Sequence, residues 1–113
     1  RSGPAPDARA ADLVGRHAAL LWTLRGMSRS VAGMLGAGAM PNLEAALVKD
    51  LGNAAEQALP ELARALPPCG DEAADAAFDG LLRSAVLYAP SFSLRGGTRE
   101  ILRGIIARGL GLR

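Results

Sequence analysis

Apolar residues recur at three- and four-residue steps along most of the chain, and that spacing commits it to helices. Ala11, Val14, Ala18, Leu21, Leu24, Met27, Val31 and Leu35 form the first series, matching the period of one α-helical face. It predicts a long helix from about Ala8 to Leu35, with Asp7 as N-cap and Gly36-Ala37-Gly38 as its end. Pro41-Asn42 restarts the chain, with Asn42 as N-cap and Glu44 in the first turn, where a carboxylate suits the helix dipole. Leu43, Ala46, Leu47, Leu51, Ala54, Ala58, Leu62, Ala65 and Leu66 continue the period. Pro60 lies inside this second series, which predicts a kink or a fresh segment there. Pro67-Pro68-Cys69-Gly70 is a stop. Asp71 caps a third helix running through Leu87, and Tyr88-Ala89-Pro90-Ser91 breaks it. Ser91 to Gly97 reads as extended or irregular. Thr98 then caps a final helix to about Arg108, with Ile101, Leu102, Ile105 and Ile106 on its inner side. Helices joined by short loops predict an all-α, up-and-down four-helix bundle. Residues 1–7 are expected to be a disordered lead or cut site, and residues 8–113 the bundle.

Composition narrows the function classes. At 113 residues the chain holds one domain. A net charge of +2 is too small to argue for an anionic partner by itself. Arg99 and Arg103 share a helix face, but Glu100 lies between them and aromatic residues are only 4% of the chain. A solvated face therefore fits better than a nucleic-acid groove, and no nucleic-acid motif is present. No apolar run approaches the roughly 18 residues of a membrane span, and a cytoplasmic location is the expectation. The single cysteine, Cys69, excludes an intrachain disulfide. Asp71, Asp75 and Asp79 step by four, but without a nearby histidine they predict no metal site. His17 reads as packed or exposed rather than catalytic, and Trp22 as a core or interface residue.

The C-terminal stretch carries the chemistry. Arg95-Gly96-Gly97-Thr98-Arg99-Glu100-Ile101-Leu102-Arg103 places a paired-glycine turn before a helix N-terminus, a backbone suited to close approach of a ligand. The Gly-Gly-Thr-x-Glu-Ile-x-Arg string, followed by Ile-Ile-Ala-Arg-x-Leu-Gly-Leu through Leu112, resembles the C-terminal signature of the acyl-CoA dehydrogenases. Ala45-Ala46-Leu47-Val48-Lys49-Asp50 resembles the second long helix of the same C-terminal domain, and Leu82-Arg83 is a weaker third match.

That resemblance implies a C-terminal helical fragment of an FAD-dependent oxidoreductase that dehydrogenates acyl-CoA thioesters and passes electrons to an electron-transfer flavoprotein. It implies that Thr98, Arg99 and Glu100 contact FAD and that Gly97 lines the substrate thioester. It also implies a homo-oligomer, at least a dimer. Gly96 departs from the family: many members carry the catalytic glutamate there, and glycine accepts no proton. Pro67-Pro68-Cys69-Gly70 departs too, replacing a glycine-rich loop that reaches a neighbouring subunit's FAD. The isolated chain is therefore expected to be inactive. The alternatives are a catalytically inactive partner subunit and a free-standing helical interaction module.

Overall fold

Every other element of the chain is laid against one helix, the second. The computed structural model describes residues 7–112 and contains α1 (Ala8–Gly36), α2 (Asn42–Arg64), α3 (Glu72–Tyr88), a 3₁₀ helix (Ala89–Leu94) and α4 (Arg99–Gly109). No strand occurs among the described residues. The expected lead falls on residues 1–6, outside that range, and Asp7 belongs instead to the start of α1.

The local signals act as the residues suggest, with three corrections. Asp7 accepts the Arg9 N–H at 3.0 Å, and Asp71 accepts those of Ala73 and Ala74 at 3.0 and 3.1 Å, so both carboxylates satisfy first-turn donors. At the end of α1, Gly38 takes φ +81, which lets Ala39 N–H reach the Met34 carbonyl and Gly38 N–H reach Leu35, a Schellman closure. The first correction is at α2. Pro41, not Asn42, is its N-cap, because the Pro41 carbonyl already accepts from Ala45 N–H at 2.9 Å. The second is Pro60, where no fresh segment begins: α2 runs on as one helix to Arg64. Pro60 is buried, and packing offsets the backbone bond it forgoes. The third is the stretch read as irregular: Ala89–Leu94 is a 3₁₀ helix with Pro90 in its first turn. Its fixed φ suits a helix start, where no N–H partner is needed.

The buried interior is small and lies mostly along α2. Ala46, Asn53 and Pro60 fall seven apart on one side of that helix, Ala55 is buried on the opposite side, and Leu102 of α4 completes the set. Side chains this small let neighbouring helices approach closely, but they bury little apolar area. The larger apolar residues stay outside: Trp22, Leu81, Leu87 and Ile101 are all exposed. Helices α1, α3 and α4 each pack on α2 and not substantially on one another. The bundle is therefore open rather than closed. Its radius of gyration of 18.0 Å compares with about 13 Å for a compact chain of this length.

Close approach is decided at Gly109. A Cβ there would stand 3.0 to 3.2 Å from three side-chain atoms of Leu43, whereas a Cβ at Gly80, in mid-α3, meets nothing within 4 Å. Gly80→Ala is expected to raise unfolding stability by about 0.5–1 kcal/mol through helix propensity alone. Gly109→Ala should lower it by about 1 kcal/mol, because overpacking outweighs the same gain. Urea titrations followed by circular dichroism measure both, and an equal rise in the two variants would refute the Leu43 contact.

Candidate functional site

The glycine turn and the start of α4 meet the middle of α2, and acidic side chains of α2 hold them there. Asp50 is the centre of this junction. Its side chain is 16% exposed and accepts from Arg99 Nε at 3.0 Å, while Arg103 Nε stands 3.8 Å from its other oxygen. One turn of helix separates the two arginines, so one carboxylate holds both. Glu56, further along α2, accepts from Arg95 at 3.0 Å, and the Arg95 guanidinium lies 5.2 Å from the Phe92 ring centre. The 3₁₀ helix is tied to the same side of α2 by Gln57, whose amide donates to the Ala89 carbonyl.

Between these anchors the chain turns at Gly96 and Gly97, with φ of +73 and +107. Both values are costly for any residue with a Cβ. Gly96 lies beside Lys49, whose Cε is 3.6 Å from where a Cβ would stand. A groove of about 520 Å³ runs along this line, bounded by Asn42, Ala45, Lys49, Gly96, Leu102 and Ile105. Lys49 has no ion-pair partner among the described residues.

Thr98 stands at the N-cap of α4, with its carbonyl accepting from Leu102 N–H at 3.0 Å. Its side chain does not cap a backbone donor. Glu100 follows in the first turn. Its carboxyl is held below the ordinary value first by its own backbone N–H, then by the Thr98 hydroxyl, with Arg103 and Arg99 adding attraction. A carboxylate thus stands beside the helix N-terminus, where an anionic or carbonyl oxygen would also be drawn. Asp75 plays a comparable part in the loop before α3. It accepts from Cys69 N–H at 2.9 Å and Gly70 N–H at 3.1 Å, and these bonds, the Cys69 one foremost, lower its pKa.

The residues singled out in the sequence therefore gather at one place, though not in equivalent states. Gly97 and Thr98 are half-buried at the turn, Glu100 is exposed on the helix start, and Gly96 borders the groove. Arg99 is tied to Asp50 through Nε alone, and its side chain keeps 32% of its exposure. Asp50, Glu56 and Lys49 are the members the site reading did not single out. Lys49 and Asp50 stood in the Val48-Lys49-Asp50 stretch, while Glu56 lay outside it, and pairing across 49 residues of chain for Asp50 and 39 for Glu56 is a tertiary fact that spacing does not encode. Among the described residues no cluster of three metal-ligating side chains occurs, and no helix is long and apolar enough to cross a membrane.

The chain matches no protein-family profile, no curated protein and no solved structure.

Acid should loosen both carboxylate locks. A carboxylate whose folded pKa is depressed stabilises the fold above its ordinary value, and that contribution is lost as pH falls through the lowered one. Stability should therefore decline below the ordinary values of 4.5 for Glu100 and 3.8 for Asp75. Urea midpoints across an acid series check this. Glu100→Gln and Asp75→Asn should each flatten the profile, and an unchanged slope in both would contradict the assignment.

Proposed function

We propose that this chain is the C-terminal helical bundle of an FAD-dependent acyl-CoA dehydrogenase-like protein, forming one wall of the flavin and acyl site and contributing to an oligomer interface. The observation that carries the reading is the Arg99–Asp50 contact at 3.0 Å. It joins two stretches, Arg95–Leu112 and Ala45–Asp50, that resemble the family separately in sequence. The groove between them would face the acyl thioester, with Gly97 leaving room beside it. At the helix start, the Thr98 hydroxyl and the Glu100 N–H suit an acceptor oxygen of FAD once the Glu100 carboxylate swings aside. Asp50 holds Arg99 through Nε and so positions the turn, which leaves the terminal guanidinium N–H groups for the cofactor. When bound, FAD supplies the hydride acceptor for α,β-dehydrogenation, and electrons then pass to an electron-transfer flavoprotein.

Gly96 favours a second reading. It offers no proton acceptor, and the side chain nearest it is the lysine at position 49 rather than a carboxylate. A partner subunit without its own base, or an interaction module that keeps the turn for packing, accounts for that directly.

The native gene product separates the two. A product that contains this chain, purifies with a flavin absorbance band and oxidises an acyl-CoA supports the enzyme reading. The isolated 113-residue chain should show weak FAD binding and no turnover with acyl-CoA and an electron acceptor. A native product without flavin would overturn the enzyme reading in favour of the interaction module.

A further inference from the structure

The fold covers only one side of its longest helix. No residue of α1 is buried. Met27, Val31 and Met34 are half-buried and line the seam with Leu47 and Val48 of α2. By helical phase, Trp22 and Arg29 fall on the side opposite that seam, with Arg25 beside them and Val14 and Leu21 at the edge. Trp22 is 78% exposed, and Val14 and Leu21 are about half exposed.

Charge decides what this outer side can meet. Between Asp12 and Glu44 the sequence contains no carboxylate. Arg16 turns back onto Asp12 at 2.9 Å, which leaves Arg25 and Arg29 exposed and without an ion-pair partner among the described residues. Most of the chain's carboxylates lie instead from Glu44 to Asp79, on α2, α3 and the loop between them. Helix α1 does not pack substantially on α3, so those charges do not neutralise its outer side.

The complement to such a face is a negative layer above an apolar one. Tryptophan settles at the level where headgroups meet acyl chains. Arginine stems lie along apolar surface while their guanidinium groups stay among anionic headgroups. The face is a convex rod without a pocket, which suits a plane. A nucleic acid would engage the arginines but leave Val14 and Leu21 in water. Among the described residues no helix is long and apolar enough to cross a membrane, and the two arginines hold this one at the surface. We infer that α1 is a peripheral membrane contact: its outer side lies on an anionic lipid surface, with Trp22 at headgroup depth and Arg25 and Arg29 on the lipid phosphates. The contact is independent of the flavin reading, since it includes neither the glycine turn nor the Asp50 junction.

Trp22 is the only tryptophan, so its emission reports the contact directly. The full chain is titrated with vesicles of phosphatidylglycerol and phosphatidylcholine in equal parts, and with vesicles of phosphatidylcholine alone. The expected result is a blue shift and protection from acrylamide on the anionic vesicles, both weakened by salt. Each arginine near such a surface strengthens partitioning about fivefold, so neutral vesicles should bind about twentyfold more weakly. Vesicle flotation, which needs no indole, reads the variants. Arg25→Glu/Arg29→Glu should lose about twentyfold or more on anionic vesicles, and Trp22→Ala about tenfold. Both should keep the helical circular dichroism, because all three residues are exposed. Arg64→Glu/Arg83→Glu makes the same change in net charge on α2 and α3. It should lose no more than about threefold, since charge acts on the bilayer only within about a Debye length.

A helical chain that leaves both kinds of vesicle unbound would overturn the proposal, and a salt-sensitive complex with polyuridylate in its place would give the face to nucleic acid. Equal binding to the two kinds of vesicle would overturn it as well, because the arginines would then contribute nothing. So would an equal loss in the two double variants, which would trace binding to net charge and not to α1.

Discussion

The fold depends on how closely its elements approach α2, and that distance is set by small side chains. Ala46, Asn53, Ala55 and Pro60 present a low surface on which the other elements rest. Small residues permit this contact but bury little area, so hydrophobic burial alone holds the assembly weakly. The structure supplements it with directional ties. Asp50 and Glu56 reach across to α4 and its approach, and Gln57 reaches the 3₁₀ helix. Asn53 is the exception among the buried residues: it is 1% exposed and its Nδ2 has no hydrogen-bond partner. An orphaned amide at the centre of the hub costs stability, a further reason the ionic ties matter.

The period of the apolar residues made the helices legible, and the carboxylate caps fixed two of their starts. Asp7 and Asp71 needed no tertiary information, because a cap acts on donors within its own first turn. Asn42 misled for a related reason. Its side chain is a good cap, but the preceding Pro41 carbonyl had already begun the helix. Pro60 looked like a break because its cost is local, while its compensation, burial against neighbouring elements, is not. The helical bundle expected from four amphipathic stretches is present, and it is an open one in which the other elements rest on α2. Apolar residues at helical spacing show that a face will be covered without showing what covers it.

The candidate site divides in the same way. Its turn and helix start were visible as residues, since paired glycines before a threonine imply a tight reversal into an N-terminus. What sequence could not supply was the state of each group. Arg99, read as a cofactor contact, is tied through Nε to α2, and Glu100, read the same way, places a carboxylate in the first turn of α4. An anionic ligand at the turn therefore meets a like charge beside the helix N-terminus, which makes it a more demanding acceptor site than its glycines and threonine alone suggest.

Gly109 has one more consequence. It ends α4 at a place where even a bare Cβ would come within 3.0 Å of Leu43. A slide of α4 by four residues toward its C-terminal end would carry Ile105 into that place and bring Thr98 to the buried position of Leu102. Lack of room at one end and loss of apolar burial at the other thus oppose the same displacement. A residue defined by lacking a side chain serves as a detent against movement in that direction.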